Sequence, residues 1–263
     1  MTRTIKGVIF DWAGTTVDFG SLAPVDVFVK LFAEEKVSVT REEVRRPMGL
    51  PKKDHLREIL RQDRVSALWR GRFGADWTEE DVARLYDAFE PSLLSILGNY
   101  ADPIEGVTEA AATLRGRGIR IGSTTGYTGR MMDILAPRAA SKGYAPDVVV
   151  TPEEVGVGRP APFMCWRNAI ELGIYPAADM VKVGDTAADI HEGRNAGMIS
   201  VGVVIGSNEM GLSREEADAL PAAAFCERAE RARKRFFEAG ADYVIGSMAE
   251  LPGLIDRIEG EGA

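Results

Sequence analysis

The segment 7–18 places a short apolar run directly before a carboxylate. Val8, Ile9 and Phe10 are followed by Asp11, and then by a turn-forming stretch with glycine, two threonines and a second aspartate. A short apolar run bounded by turn residues is typical of a strand buried on both faces of a parallel sheet. Open α/β sheets bind their ligands at the carboxyl ends of the strands. The pattern therefore favours a binding or catalytic role for Asp11 over a simple helix cap.

Later apolar runs alternate with segments of helical periodicity, which predicts an α/β fold with a doubly wound, Rossmann-like parallel sheet. The later strands are predicted at 119–123, 148–150, 180–183, 199–205 and 243–245. Residues 22–98 interrupt the alternation, because they contain helical patterns and no convincing strand. We therefore expect a core domain at 1–21 and 99–263, with a helical cap domain at 22–98. Inserted lids exclude water and complete catalytic sites. The segment 206–242 gives no clear pattern.

Charge and cysteine content limit the classes of partner. The 263-residue chain has a formal net charge of −8, which argues against nucleic acid or an anionic membrane as a general partner. Its two cysteines form no Cys-x-x-Cys pair, which suits a reducing compartment. No signal-peptide core and no run long enough to span a bilayer is present in the sequence. We expect a cytoplasmic protein that acts on a small molecule.

Polar and charged residues recur where predicted strands end or helices begin. They lie in segments 11–15, 123–126, 158–162 and 184–189. The carboxylates of Asp11 and Asp185 are hard oxygen ligands of the kind that Mg²⁺ prefers. Thr125 and the backbone around Gly126 suit an anion at a helix start, and Arg159 supplies a fixed positive charge. Together these groups predict phosphoryl transfer by a nucleophile, a metal and an anion cradle.

In this order the four segments resemble the motifs of the haloacid dehalogenase superfamily, from Asp11 to Asp189. The resemblance implies that Asp11 attacks phosphorus to form an aspartyl-phosphate, and that the helical insertion is the cap of that family. Arg159 takes the position where the family usually has lysine. Ala13 stands where the phosphatases of the family have a second aspartate, which protonates the leaving oxygen. General acid catalysis of this kind contributes roughly 10²–10⁴-fold.

The cap segment offers another way to handle the leaving group. Lys52 and His55 are three residues apart and so share one face of a predicted helix. A lysine amine can form a Schiff base with a carbonyl substrate, and the adjacent Lys53 and a dry pocket would both lower its pKa. A lysine at the start of a surface helix is more often solvated, so the spacing alone leaves both interpretations open.

The wider sequence resembles the phosphonatase family of this superfamily over nearly the whole chain. The resemblance lies in segments 11–18, 47–50, 122–127, 158–160, 182–186 and 192–198, together with Lys52, His55 and Asp189. Alanine at position 13 is itself typical of this family. The resemblance implies hydrolysis of the carbon–phosphorus bond of phosphonoacetaldehyde, through a Schiff base on Lys52 and an aspartyl-phosphate on Asp11. It also implies a homodimer formed through the cap.

The same resemblance assigns roles to individual residues. His55 would move protons during imine formation, Met48 would pack beside the imine, and Tyr127 would line the pocket. The phosphonate would be held by Thr15, Gly126 and Arg159. The metal, Mg²⁺, would be held by Asp11, the Ala13 carbonyl and Asp185, with Asp189 orienting its water ligands. Two alternatives stay open at this point: a phosphomonoester phosphatase or phosphomutase of the same fold, and a non-catalytic scaffold.

Overall fold

A six-stranded parallel sheet forms the centre of the computed structural model, which describes residues 4–261. The strands are β1 (Gly7–Phe10), β2 (Arg120–Thr124), β3 (Val148–Val150), β4 (Met180–Gly184), β5 (Ile199–Val203) and β6 (Tyr243–Ile245). Their order is β3-β2-β1-β4-β5-β6, with every neighbouring pair parallel. The order reverses between β1 and β4, which is where doubly wound sheets bind their ligands. The predicted fold class is confirmed.

Five helices occupy residues 22–97, between β1 and the core helix that precedes β2. They are α1 (Leu22–Glu34), α2 (Arg41–Arg45), α3 (Lys52–Arg61), α4 (Asp63–Phe73) and α5 (Glu79–Leu97). Thr40 and Thr78 each precede a helix and begin it with a capping box. No strand interrupts this part of the chain, so the inserted helical cap is present. The domain boundaries at 21/22 and 98/99 remain a prediction.

The cap helices bury their apolar faces against one another and against the core. The rings of Phe28 in α1 and Phe89 in α5 stack with their centroids 4.1 Å apart. Both belong to the same continuous cluster of buried apolar side chains as Phe10 and Val183 of the sheet. Because most apolar residues of α1 are buried within the chain, this helix offers little apolar surface to a second copy. The homodimer remains a prediction.

The remaining helices complete the core. They are α6 (Val107–Gly116), α7 (Gly129–Ser141), α8 (Pro152–Val155), α9 (Phe163–Glu171), α10 (Ala187–Asn195), α11 (Arg214–Ala219), α12 (Ala222–Glu238) and α13 (Leu251–Glu261). The unreadable segment 206–242 contains α11 and α12. α6 begins at Val107, directly after Gly106, whose φ of 86° is not helical. Among residues 4–261, no helix is both long and apolar enough to cross a membrane.

Candidate active site

Asp11 follows the central strand at the switch point of the sheet. Its backbone N–H donates to the carbonyl of Val183 in β4 at 3.0 Å, and its side chain is buried. The chain then turns tightly, because the Trp12 carbonyl accepts the N–H groups of residues 15–17. Gly14 allows this turn with a φ of 86°, and a Cβ there would collide with the carboxylate of Asp185. The glycine therefore lets the two carboxylates approach each other.

A small cavity lies between this turn and the cap. Its volume is about 20 Å³, close to the ~10–15 Å³ that one water needs. The cavity is lined by Asp11, Ala13, Ser21, Pro24, Met48, Gly49, Lys52, Thr125, Gly126, Tyr127, Arg159, Asp185 and Thr186. Most of the residues predicted from the sequence are in this set, although they come from five separate parts of the chain. Because this volume holds about one water, the lining residues must move apart before a larger molecule binds.

Three predicted residues do not line the cavity. Thr15 lies directly behind it, with its hydroxyl 3.4 Å from both Asp11 Oδ2 and Asp185 Oδ1. His55 is completely buried in α3, and Asp189 is completely buried in α10. The roles proposed for these three residues are therefore indirect in this closed arrangement.

Arg159 is the centre of a buried ion network. Its guanidinium lies 2.8 Å from Asp11, 3.0 Å from Asp189 and 2.9 Å from Glu192. Lys182 adds a second cation, with Nζ 2.6 Å from Asp189 Oδ1. Because every member is nearly inaccessible to solvent, these charges are screened only weakly. The network fixes the guanidinium of Arg159 beside the carboxylate of Asp11.

The network leaves an excess of negative charge at the site. Three buried cations, Arg159, Lys182 and Lys52, face four buried carboxylates, those of Asp11, Asp185, Asp189 and Glu192. Burial, together with the charge of Asp189, raises the pKa of Asp11. Burial and the charge of Asp11 raise the pKa of Asp185 well above its ordinary value. A bound divalent cation would relieve this repulsion.

The donor set at this position fits a hard metal ion. Oxygen atoms of Asp11, Asp185 and Asp189 lie within 4.8 Å of one another. Both oxygens of Asp189 are already engaged, one by Lys182 and the other by the hydroxyl of Thr186 at 2.5 Å. Burial opposes ionisation of Asp189, but the nearby positive charges of Arg159 and Lys182 lower its pKa overall. Asp11 and Asp185 are therefore better placed than Asp189 to bind a metal directly.

Lys52 is the first residue of the cap helix α3, and its side chain is buried. Its Nζ lies 4.8 Å from the centre of the Tyr127 ring. Burial lowers the pKa of Lys52 to about 8, although the charge of Asp11 acts in the opposite direction. Within residues 4–261 the amine has no hydrogen-bond partner. The solvated surface lysine considered from the sequence is therefore not what the structure contains.

His55 lies one turn after Lys52 and faces the interior of the cap. Its Nε2 lies 2.7 Å from the Val44 carbonyl, which can only accept, so Nε2 carries the proton. Nδ1 is buried and has no partner, and the ring packs on Phe28 with centroids 4.4 Å apart. Burial and the nearby charge of Lys52 lower the pKa of His55 well below its ordinary value. The residue is therefore neutral, with a free lone pair at Nδ1.

Several supporting residues had no assigned role in the sequence. Lys182 interrupts an otherwise apolar strand, and that break in the pattern is a usable signal. Glu192 has no such signal, yet its Oε2 accepts from Arg159 and from the Thr124 hydroxyl. Ser21 donates to the Ala13 carbonyl at 2.8 Å, and thus orients a predicted metal ligand. The backbone N–H of Asn208 donates to Asp185 Oδ2 at 2.7 Å, which fixes a second one.

Comparison with known proteins places this site in a family. The profile of the haloacid dehalogenase-like hydrolases matches residues 5–197. The chain belongs to the haloacid dehalogenase-like hydrolases. Within them, it is 53% identical over 255 residues to the phosphonoacetaldehyde hydrolase of Bacillus cytotoxicus, and 52% identical to that of Bacillus anthracis. Each alignment covers 97% of both chains, so the chain also belongs with the phosphonoacetaldehyde hydrolases.

Solved structures agree with this assignment. A phosphonoacetaldehyde hydrolase-like protein from Oleispira antarctica superposes with a TM-score of 0.97 at 40% identity. That superposition covers 100% of this chain and 95% of the other. A β-phosphoglucomutase from Clostridium difficile, at 17% identity and a TM-score of 0.69 with 98% of both chains covered, shares the fold alone.

Proposed function

We propose that this hydrolase cleaves the carbon–phosphorus bond of phosphonoacetaldehyde to give acetaldehyde and phosphate. The main support is that the amine of Lys52 lines the same cavity as the carboxylate of Asp11. The cap supplies an amine that reacts with carbonyl groups, and the core supplies a nucleophile for phosphorus. A substrate that uses both groups carries a carbonyl and a phosphorus group a short distance apart.

The chemistry explains why both groups are needed. The neutral amine of Lys52 condenses with the aldehyde, releases water and forms an imine that is protonated. Asp11 then attacks phosphorus, and the electron pair of the breaking C–P bond moves into the iminium group to give an enamine. Protonation of the enamine carbon and hydrolysis of the resulting imine release acetaldehyde and regenerate the amine. Water hydrolyses the aspartyl-phosphate to phosphate and the free carboxylate of Asp11.

The surrounding residues suit these steps. Thr125, Gly126 and Arg159 line the cavity, with Arg159 2.8 Å from Asp11, and would hold the phosphonate oxygens. Met48 and Tyr127 also line it, with the Tyr127 ring centre 4.8 Å from Lys52 Nζ, and would exclude water from the imine. In this proposal, His55 accepts a proton from the cap side, because its neutral ring keeps a free lone pair at Nδ1. Thr15 supports the two carboxylates from behind.

We propose Mg²⁺ as the metal of this site. Asp11, Asp185 and the Ala13 carbonyl would hold it, and Asp189 would orient its water ligands from behind. When bound, the ion would offset the negative charge that the carboxylates and the phosphonate bring together. This chain places hard oxygen donors around the metal position. Ser21 orients the Ala13 carbonyl, and Asn208 orients the carboxylate of Asp185.

Ala13 disfavours the alternative of a phosphomonoester phosphatase or phosphomutase. Its methyl group can donate no proton to a leaving oxygen, whereas a C–P bond has no leaving oxygen to protonate. Lys52 would also have no covalent role in ester hydrolysis. A non-catalytic scaffold has no use for the buried pairing of Asp11 with Arg159 at 2.8 Å.

Borohydride reduction tests the covalent step. Reduction during incubation with phosphonoacetaldehyde should leave an adduct that mass mapping finds on Lys52, and Lys52→Arg should form no adduct. Asp11→Asn should still be trapped, but it should release no phosphate. The matched control is Lys53→Arg, which changes the exposed neighbouring lysine and should leave trapping unchanged. Full phosphate release by Lys52→Arg would refute the imine route.

A further inference from the structure

A second cavity, of about 370 Å³, lies where the cap meets the core. It shares no lining residue with the cavity of Asp11 and Lys52. The cap contributes α2 and the residue after it, and the core contributes residues 208–211 and α12. Its walls carry the guanidinium groups of Arg41, Arg45, Arg46, Arg228, Arg231 and Arg235. We call this cavity the arginine pocket.

The positive charge of the arginine pocket is only partly compensated. Its lining includes two carboxylates, Glu42 and Glu209, and both lie near Arg235, at 3.8 and 2.9 Å. Two further arginines pair with carboxylates outside the lining: Arg41 with Asp26 and Arg231 with Glu227. The other three arginines are Arg45, Arg46 and Arg228. In the part of the chain that the structure describes, no carboxylate lies within 4.0 Å of any of them. This concentration of positive charge occurs in a chain whose net charge is −8.

Arg45 is held in this pocket at an electrostatic cost. Its side chain is 7% exposed, and Nη1 donates to the Gly20 carbonyl and to Asn208 Oδ1, whereas Nη2 has no partner. Burial and the positive charge of Arg41 lower its pKa from the ordinary value. An anion in the pocket would relieve this repulsion.

We propose that the arginine pocket binds a small polyanion with two or more phosphate groups, which bridges the cap and the core. Guanidinium groups bind phosphate oxygens in pairs, and three of them here lack a carboxylate partner. A single phosphate would engage only part of this set. The volume lies within the ~300–1,000 Å³ of small-molecule sites. The ligand would contact Arg46 from the cap side and Arg228 from the core side.

Occupancy of the arginine pocket would also steady the first site. Two hydrogen bonds join Arg45 and Asn208. Arg45 Nη1 donates to Asn208 Oδ1 at 3.1 Å, and Asn208 Nδ2 donates to the Arg45 carbonyl at 3.1 Å. The backbone N–H of Asn208 donates to Asp185 at 2.7 Å. A ligand that ties α2 to the core therefore holds the loop that orients a carboxylate of the first site. The bound polyanion stabilises the closed cap.

Titration calorimetry of the whole chain with pyrophosphate tests the binding, without any turnover. A chelator is included, so that no divalent cation at the first site can draw pyrophosphate there. The double variant Arg46→Ala/Arg228→Ala removes the two bridging cations. The matched control is Lys234→Ala, which removes a positive charge from α12 outside the pocket.

We expect one pyrophosphate per chain for the wild type and the control, with inorganic phosphate binding more weakly. The double variant should lose roughly tenfold or more in affinity, as expected for the loss of charge-assisted hydrogen bonds. Pyrophosphate should raise the melting temperature of the wild type and the control, but not that of the double variant. If the double variant is already unstable without ligand, the exposed single change Arg46→Ala makes the same comparison. Absence of binding to the wild type, or equal binding by the double variant, would overturn the proposal.

Discussion

The protonation state of Lys52 links the geometry of the site to a measurable rate. Burial lowers the pKa of this amine to about 8 from the ordinary 10.5. Imine formation needs the neutral amine. At pH 7, a lysine of pKa 8 is about 9% neutral, whereas one of pKa 10.5 is about 0.03% neutral. The cap therefore makes the amine roughly 300-fold more available at that pH.

Asp11→Asn perturbs this pKa in a known direction. After burial, the negative charge of Asp11 is the largest influence on Lys52, and it raises the pKa. Its removal should move the pKa below 8, and a fall of about half a unit would nearly triple the neutral fraction at pH 7. The matched control is Asp54→Asn on the same helix, because Asp54 pairs with Arg57 at 2.5 Å and is not among the main influences on Lys52.

The assay is borohydride trapping of phosphonoacetaldehyde across about pH 6–10 with a chelator present. The trapping rate should rise with pH, because deprotonation produces the nucleophile, and it should level off above the pKa. The midpoint should lie near 8 for the wild type and for Asp54→Asn, and lower for Asp11→Asn. A wild-type rate that keeps rising up to about pH 10, as for a lysine of pKa 10.5, would refute this reasoning, and so would a midpoint for Asp11→Asn at or above that of the wild type.

The remaining predictions concern close packing, buried charge and the metal. In Gly126→Ala the new Cβ would lie 2.7 Å from the Leu50 carbonyl oxygen of the cap, so turnover should fall steeply. Gly129→Ala, whose nearest neighbouring atom is 3.4 Å away, should keep its activity, and equal activity of the two variants would contradict this account. Lys182→Met leaves two buried carboxylates without their ammonium partner and should cost about 3–5 kcal/mol in urea unfolding. Lys6→Met removes an exposed pair and should cost no more than about 1 kcal/mol, so similar losses would argue against the buried network. Removal of divalent cations should stop phosphate release while borohydride still traps the imine; continued release would exclude the metal from phosphoryl transfer.

The sequence predicted the core of the site because parallel strands end at one edge of a sheet. Asp11 and Asp185 follow β1 and β4, which are neighbours, so their convergence followed from the strand pattern alone. No such geometric rule places Met48, Lys52 and Tyr127 at the site, and only the family resemblance predicted their positions there. Their positions depend on how the cap packs, which local periodicity does not encode.

Contacts between distant segments were beyond the sequence pattern. Glu192 joins Arg159 across 33 residues, and Asn208 joins Arg45 across 163. Segment 206–242 showed no clear periodicity, and α12 within it supplies three of the six arginines of the arginine pocket. Arginines that are adjacent in space but scattered in the chain resemble an ordinary solvated helix face when only the sequence is known.

The most direct test of C–P cleavage measures both products from phosphonoacetaldehyde. The wild type should release equal amounts of acetaldehyde and phosphate and little phosphate from a simple ester such as p-nitrophenyl phosphate, and Lys52→Arg should release neither product. Release of phosphate without acetaldehyde would contradict C–P cleavage. So would ester hydrolysis that exceeds phosphonoacetaldehyde turnover and survives in Lys52→Arg at the wild-type rate.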